Sequence, residues 1–477
     1  MRNIVSLKSA SQAVIAGLVC ASLTACSLAP EYQTPAAPIS QHWFSDGEDI
    51  SQPESSAKIG WKSFVTDENL VQLIELTLQN NHDLRQVILN VEAARAQYGI
   101  QDAQRLPNVN LEGQASRQAT PDDFLAPGMP NVQNRFQVGV GLASYELDLF
   151  QRVSNLSQAA LHEYLATAEV AQSLKTSLIA EVIQSYLAYN GAQQRYLLAK
   201  QVKESRATSE QKIRQRLELG AASKLELQQA IELRLNAALS FERISREKQL
   251  AYNALRLLVG VSDIDPFLSD KPQYENVIVQ ELTPGAPSDL LQNRPDIRAA
   301  EHRLIGRNAN IGAARAAFFP SISLTGFVGT SSTEISDLFS SSQKTWSFAP
   351  QIRLPIFDGG RNQANLDLAN IRKDISIVEY EQNIQTAFRE VADALVSIDS
   401  LKREESVQRE LSLSSADRLI LSYARYQRGA DDYLNYLDTQ RESFANHMAL
   451  IQVKTQRQIA LVSLYRALGG GWMAQDS

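Results

Sequence analysis

The sequence has few of the residue types that build catalytic or metal centres. Its 477 residues include two cysteines and five histidines, and no two histidines have a spacing typical of metal ligands. Its glycine pairs form no phosphate-binding loop. The net charge is −7, and basic residues do not cluster beside aromatic ones, which argues against a nucleic-acid partner. We therefore predict a protein that is not an enzyme, with no metal and no dissociable cofactor. The histidines are His42, His82, His162, His302 and His447.

Beyond the N-terminus, no apolar run is as long as a membrane-spanning helix. The N-terminus has two basic residues before a short apolar run, the arrangement of a secretory signal peptide. The run ends in Leu23-Thr24-Ala25-Cys26, which resembles a bacterial lipobox, and Ser27 follows as in lipoproteins sent to the outer membrane. An ordinary signal peptide with an incidental cysteine is the alternative. We predict a signal peptide over 1–25, a covalent lipid on Cys26, and strands for any bilayer crossing.

Two stretches of the chain, Asp83–Gly113 and Asp296–Gly326, share a pattern at a constant offset of 213 residues. In each, a helical pattern stops at a proline and alternating apolar residues follow. Proline cannot continue a helix and favours an extended residue before it, so a helix should lead directly into a strand. Further along, Gly220 and Gly429 repeat at an offset of 209. The chain therefore has the pattern of a tandem duplication.

Each half is predicted to hold a β-hairpin followed by a long helical hairpin. The strands alternate apolar residues with small or polar ones, as in a wall between lipid and water, although a half-buried soluble sheet alternates in the same way. The predicted segments are the anchored arm 26–66, the first repeat 67–260 with β-hairpin 108–150 and helical hairpin 154–259, the linker 261–290, the second repeat 291–468 with β-hairpin 321–357 and helical hairpin 361–468, and the tail 469–477.

Local signals mark several element ends within these segments. Asp67 and Ser223 are placed as helix N-caps, and Gly220 as the residue that ends the preceding helix. In the second strand the apolar residues change parity after Leu142. The change indicates either a β-bulge, because an extra residue reverses the side on which the following side chains lie, or emergence of the strand from the membrane.

Four strands per chain cannot close a transmembrane barrel, since the smallest use about eight. Open strand edges cannot face lipid, because their N–H and C=O groups would have no partners. Several chains should therefore pool their strands and place their helical hairpins side by side. A hollow conduit is the expected product.

Several motifs together resemble the TolC family of outer-membrane efflux ducts, and within it the OprM-like lipoprotein branch. They are the lipobox, NRPDIRAAE, ARAAFFPSISLTG, LPIFDGGR, YQRGADDYLNYLDTQR and the terminal ALGGGW. The resemblance implies an α+β membrane protein in the outer membrane of a Gram-negative bacterium. It would be a homotrimer with a shared 12-stranded transmembrane β-barrel, continued by a 12-helix periplasmic α-barrel.

The resemblance also implies partners and a passive role. The partners are a periplasmic adaptor (membrane fusion) protein and an inner-membrane pump of the resistance-nodulation-division type. The alternative is a structural envelope lipoprotein that tethers membrane and periplasmic partners. Four strands with lipid-facing alternation favour the duct, because a tether has no use for them.

In such ducts the tip of the inner helical hairpin closes the periplasmic end. The matching gate residues here are Tyr426, Leu434, Asp438 and Arg441. Asp438 and Arg441 are three residues apart on one helix, so a local surface ion pair is the alternative. For Leu434 the alternative is an ordinary place in a coiled-coil core.

The turns between the long helices carry two further sets of candidate residues. Asp431 and Asp432 would form a ring of negative charge under threefold symmetry, although two aspartates in an exposed turn are the simpler interpretation. Paired motifs before each turn are candidates for adaptor docking, and basic residues are favoured at a helix C-terminus in any case. The docking candidates are Arg216, Leu217, Gly220, Arg425, Arg428 and Gly429.

Replacing both tip aspartates, Asp431→Asn with Asp432→Asn, tests the charge ring. Because a ring of carboxylates attracts cations, we expect the double variant to lose preference for cations. The measurement is the reversal potential across a salt gradient in planar bilayers. An unchanged reversal potential would leave the aspartates as residues of an exposed turn.

Overall fold

The computed structural model describes residues 28–38, 56–269 and 277–470. The predicted signal peptide, the predicted lipidation site Cys26, and parts of the predicted arm, linker and tail lie outside the described residues. No helix in the described ranges has an apolar stretch long enough to cross a membrane. The main elements are α1 (Glu68–Asn80), α2 (His82–Ala103), β1 (Val109–Ala119), β2 (Val132–Leu147), α3 (Arg152–Glu218), α4 (Lys224–Val259), α5 (Pro295–Ala316), β3 (Ser321–Ser332), β4 (Lys344–Arg353), α6 (Arg361–Gln427) and α7 (Tyr433–Ala467).

Two compact units are present, each assembled from separate stretches of chain. The first contains 90–167 and 299–380 together with the described N-terminal residues up to Ala36. The second contains 168–298, with the described residues between 56 and 89 and the chain from Glu381 onward. Two short helices, Trp61–Phe64 and Asp289–Asn293, belong to the second unit.

The first unit holds a four-stranded antiparallel sheet in the order β1-β2-β3-β4. One face is apolar across all four strands, and Leu111 and Trp346 on it are 81% and 76% exposed. The opposite face carries polar and small residues. A typical row of the apolar face pairs Leu111, Val140, Val328 and Trp346, and the adjacent row of the other face pairs Glu112, Gly139, Gly329 and Thr345.

The polar face of the sheet has one aromatic ring lying across a glycine pair. A Cβ on Gly139 would come within 2.5 Å of the Phe327 ring and 2.6 Å of the Gly329 Cα. Side chains at these glycines would collide with the neighbouring strand. Because Gly139 and Gly329 have no Cβ atoms, the Phe327 ring can lie against both of them. Phe327 is therefore buried on an otherwise polar face of the sheet.

The predicted bulge in β2 is confirmed. The pairing of β2 with β3 shifts between Leu142 and Tyr145, and Ser144 there has a φ of 44°. The extra residue transfers the apolar set to the other parity, which is the change seen in the sequence.

The two longest helices, α3 and α6, begin in similar ways. Both contain 67 residues, about 100 Å at ~1.5 Å per residue. Asp148 accepts hydrogen bonds from the Val153 and Ser154 amides at 2.9 and 2.6 Å. Asp358 accepts from the Gly360 and Asn362 amides at 3.0 and 2.9 Å. Each carboxylate satisfies amide donors at a helix start, and these bonds lower the pKa of Asp358.

The described N-terminal segment lies along α5 in the first unit. The Arg315 guanidinium donates to the Leu28 carbonyl at 3.1 Å, and the Asn308 amide donates to the Pro30 carbonyl at 2.7 Å. Between them, a Cβ on Gly312 would come within 2.8 Å of Ala29. Gly312 therefore makes room for the segment, and its neighbours on α5 bind the backbone that passes over it.

The second unit has a large apolar core built from α1, α3, α4 and α7. The Phe64 and Tyr465 rings stack in it with centroids 4.0 Å apart. At its margin, Arg294 donates to both carboxylate oxygens of Asp296 and to Glu390 at 2.7 Å. The same guanidinium donates to the Ala467 carbonyl at 3.0 Å. A buried charge with this many partners fixes the start of α5 against α6 and α7.

Gly312 and Gly99 occupy equivalent positions of the two repeats and provide a matched pair of substitutions. We expect Gly312→Ala to destabilise the protein by ~1–3 kcal/mol and to release the N-terminal segment, because its Cβ would overpack both the Asn155 side chain and Ala29. A Cβ on Gly99 meets nothing within 4 Å, so Gly99→Ala should be neutral or stabilising by up to ~1 kcal/mol. Thermal unfolding and limited proteolysis before residue 38 would check both. Equal melting temperatures and equal proteolysis of the two variants would contradict the contact between Gly312 and the N-terminal segment.

Candidate functional site

The candidate site is formed by the two turns that join the long helices, which we call the tips. The first tip joins α3 to α4 and the second joins α6 to α7. Gly220 and Gly429 end the incoming helices with φ of 72° and 69°, a left-handed conformation that favours glycine. Just before them, Arg216 donates to the Ala221 carbonyl at 2.9 Å. Arg425, 209 residues later, donates to the Ala430 carbonyl at 3.4 Å.

Side-chain caps start the returning helices. Ser223 and Glu226 form a reciprocal capping box at the start of α4. Asp432 caps α7 by accepting from the Asn435 amide at 2.8 Å. Both turns are thus fixed on each side by local hydrogen bonds, which gives the tips defined geometry.

An apolar cluster rich in tyrosine joins the tips. Tyr426 and Tyr436 stack with centroids 5.8 Å apart and nearly parallel rings. Burial raises the pKa of Tyr433 to about 12, so its hydroxyl remains protonated at neutral pH. Stacked rings and buried aliphatic side chains hold the hairpins together in a way that does not depend on salt. The buried members of the cluster are Ile213, Ala230, Tyr433 and Leu437.

A hydrogen bond connects the first tip directly to the second. The Arg216 guanidinium donates to the Tyr426 hydroxyl at 2.6 Å. From the sequence these residues had separate roles, Arg216 in docking and Tyr426 in the gate. The structure brings the two side chains together in one contact between the tips.

The remaining predicted gate residues lie on α7. Arg441 donates to Asp438 at 2.8 Å, and their side chains are 69% and 48% exposed. The ion pair expected from their spacing is therefore present within one helix. Leu434 is half exposed beside the tip, so it is not a fully buried core residue of this chain.

The two predicted ring residues have different local roles. Asp431 accepts from the Asn435 side-chain amide at 2.6 Å and from Arg425 at 3.4 Å. The Asn435 bond and, to a smaller degree, Arg425 lower the pKa of Asp431. Asp432 is the N-cap of α7. Asp431 therefore carries a full charge at neutral pH at the second tip.

The other docking candidates form the outer surface of the tips. Arg425 and Arg428 are exposed, and Leu217 is half-buried. Leu219, which belongs to the first of the paired motifs, is 83% exposed. The tips thus present basic and apolar side chains next to each other, a combination suited to a protein partner.

Sequence reasoning missed one charged residue behind the tips. Arg206 on α3 is 5% exposed and donates to the Gln440 side chain on α7. Burial lowers the pKa of Arg206, against the opposing influence of Tyr436 and Tyr433. A sequence signal existed, because Arg206 precedes buried Ile213 by seven residues and so lies on the same stripe of α3.

Arg216→Gln tests the connection between the tips. Loss of its bond to Tyr426 should lower the local opening free energy by ~1 kcal/mol, which corresponds to roughly fivefold faster amide exchange in both tips. Tyr426→Phe removes the same bond between the tips and should also speed exchange in both, whereas Arg216→Gln in addition loses its bond to the Ala221 carbonyl within the first tip. Adding Tyr426→Phe to Arg216→Gln should therefore change little. Hydrogen–deuterium exchange is the measurement, with Arg425→Gln as the matched control. Faster exchange confined to the first tip would contradict the connection.

Comparisons with known proteins agree with the arrangement of the chain. A family model described as outer membrane efflux protein matches residues 73–261 and 286–470. Outer membrane protein OprJ of Pseudomonas aeruginosa is 50% identical over 96% of this chain and 96% of its own length.

Solved structures are similar over nearly the whole chain. One is described as a membrane protein from Pseudomonas aeruginosa and has a TM-score of 0.88, with 50% identity over 93% of this chain and 100% of that chain. Another is the open state of the MtrE outer membrane channel of Neisseria gonorrhoeae, with a TM-score of 0.84 and 36% identity over 94% and 98% of the two chains. The chain is therefore a member of the outer membrane efflux protein family, the TolC-like channels that its motifs resemble.

Proposed function

We propose that this protein is the outer-membrane exit duct of a tripartite efflux pump. It conducts small molecules passively from the periplasm and the pump to the exterior, without an enzymatic step. The observation that carries the proposal is a sheet with one continuous apolar face and two outer strands that each pair on one side. Family membership and similarity to outer membrane channels support the same function.

The sheet supports a barrel shared by three chains. With four strands each, a homotrimer supplies twelve, and joining β1 of one chain to β4 of the next satisfies every edge. The exposed apolar face would then contact lipid and the polar face would line water. Such a barrel spans the outer membrane without an apolar helix.

The helices support a periplasmic extension of the same duct. Each chain has four long helices, α3, α4, α6 and α7, so a trimer would provide twelve for an α-barrel. The tandem duplication explains the paired design, because α3 and α6 have equal lengths and the tips have equivalent turns. A β-barrel and an α-barrel sharing one threefold axis would form one channel.

We assign the gate to the second tip. Leu434 would narrow the mouth, and contacts of Tyr426, Asp438 and Arg441 would hold neighbouring hairpins closed. The Arg216–Tyr426 bond would restrain the second tip through the first. Asp431, ionised at the tip, and Asp432 would favour cations at the entrance.

The exposed tip residues would receive a periplasmic adaptor, which links the duct to an inner-membrane pump. Arg216, Leu217, Gly220 and their counterparts Arg425, Arg428 and Gly429 form that surface. A lipid on Cys26 would anchor the chain to the outer membrane. The segment bound along α5 supports this, since Leu28 is held only two residues from Cys26.

Conductance in planar lipid bilayers tests the duct and its gate together. The purified mature protein should show low, flickering conductance that rises severalfold in Asp438→Ala, because the substitution frees Arg441 and loosens the mouth. Asp399→Ala is the matched control, since Asp399 also forms an exposed ion pair within a long helix, with Arg403. It should leave conductance unchanged.

The possible outcomes separate the parts of the proposal. Conductance unchanged by Asp438→Ala would keep the duct and place the gate elsewhere. An equal rise in Asp399→Ala would indicate general loosening of the helices. Absence of conductance in the original protein, Asp438→Ala and Asp399→Ala, all correctly folded, would rule out a conducting duct.

A further inference from the structure

Two histidines that are 140 residues apart in sequence meet in the first unit. His162 lies on α3 and His302 on α5, and their Nδ1 atoms are 3.2 Å apart. The ring centroids are 5.3 Å apart and the planes are tilted by 37°. At this distance one Nδ1–H donates to the other Nδ1, so a single proton lies between the two nitrogens.

A close approach of the helix backbones fixes the position of the pair. Gly306 follows His302 by about one turn of α5. A Cβ on Gly306 would lie 3.3 Å from the Ala159 carbonyl oxygen and 3.5 Å from the His162 Cβ. The two imidazoles therefore project from helices whose backbones approach closely at this point.

The positions of the other repeat that correspond to His162 and His302 carry no histidine. At the offset of 209 that relates α3 to α6, His162 corresponds to Ile371. At the offset of 213 that relates α2 to α5, His302 corresponds to Leu89. Each equivalent position thus carries an aliphatic residue, and both Ile371 and Leu89 are more than half exposed. The contact between the two imidazoles is described only for His162 and His302.

We propose that His162 and His302 form a binding site for a divalent transition-metal ion. Two nitrogens each about 2.0–2.1 Å from a tetrahedral ion are roughly 3.3–3.4 Å apart, close to the 3.2 Å between these Nδ1 atoms. The ion takes the place of the shared proton, which moves from Nδ1 to Nε2 of the same ring. Neither histidine has to move to another face of its helix when the ion replaces the proton.

The donor atoms define which ions bind. Imidazole nitrogen suits Cu²⁺, Ni²⁺ and Zn²⁺, whereas Mg²⁺ and Ca²⁺ require oxygen ligands. Among the described residues, no group of three or more His, Cys, Asp or Glu side chains could hold a metal ion. Water completes the coordination, and Cu²⁺ should bind most tightly, as the general order of affinities requires. The ion cross-links α3 to α5 in the unit that carries the sheet.

The test uses the full mature protein in detergent, purified without a histidine tag. Isothermal titration calorimetry with Cu²⁺, Ni²⁺ or Zn²⁺ alone should give one site per chain, with Mg²⁺ as the negative control ion. His162→Ile and His302→Leu place in each position the residue that the other repeat carries. Each should weaken binding by roughly tenfold or more, since one of two ligands is lost. His447→Gln, at an exposed histidine of α7, is the matched control and should bind normally.

Thermal unfolding gives a second measurement that needs no titration. Saturating Cu²⁺ should raise the melting temperature of the original protein and of His447→Gln, but not of the two site variants. If an aliphatic variant folds poorly, His162→Gln and His302→Gln retain polarity and serve instead. The proposal is overturned by absence of saturable binding in the original protein. Binding unchanged in the site variants, or lost equally in His447→Gln, overturns it as well.

Discussion

The outer strands of the sheet impose the constraint on which the rest of this protein depends. Each of β1 and β4 pairs on one side, which leaves a row of N–H and C=O groups directed outward. Such groups cost several kcal/mol each where no water can reach them. An apolar sheet face and open edges are compatible only if further strands complete the sheet. In the trimer that we propose, neighbouring chains supply those strands, and the proposed duct depends on completing those edges.

Features governed by neighbouring residues could be predicted from the sequence. The helices end at Ala103 and Ala316, four residues before Pro107 and Pro320, and a strand follows each proline. Asp67 and Ser223 cap helices as expected. Gly220 has the left-handed conformation that its place at a helix end required. These positions were predictable because proline, glycine and short polar side chains restrict the backbone at their own location, independently of the fold.

Contacts between distant parts of the chain could not be predicted in the same way. The bond from Arg216 to Tyr426 and the burial of Arg206 depend on which helix faces another, and residue type does not specify that. The binding of the N-terminal segment along α5 is a further example. Gly99 and Gly312 are equivalent in sequence, yet only Gly312 receives a segment. The two helices are similar in sequence, but they have different neighbours in the fold.

The equal length of α3 and α6 has a consequence for how such a chain can change in evolution. Removing one residue from α3 alone would retract its tip by ~1.5 Å and turn it by about 100°. Arg216 would then point away from Tyr426, and the tyrosine cluster would lose its partners on α3. A deletion of seven residues, close to two helical turns, leaves nearly the same side of the helix facing its neighbours. To keep the two tips at the same level, the same deletion must be made in all four long helices. The reach of the hairpins can therefore change only in coordinated steps of about 10 Å, so insertions and deletions should accumulate in the strand loops instead.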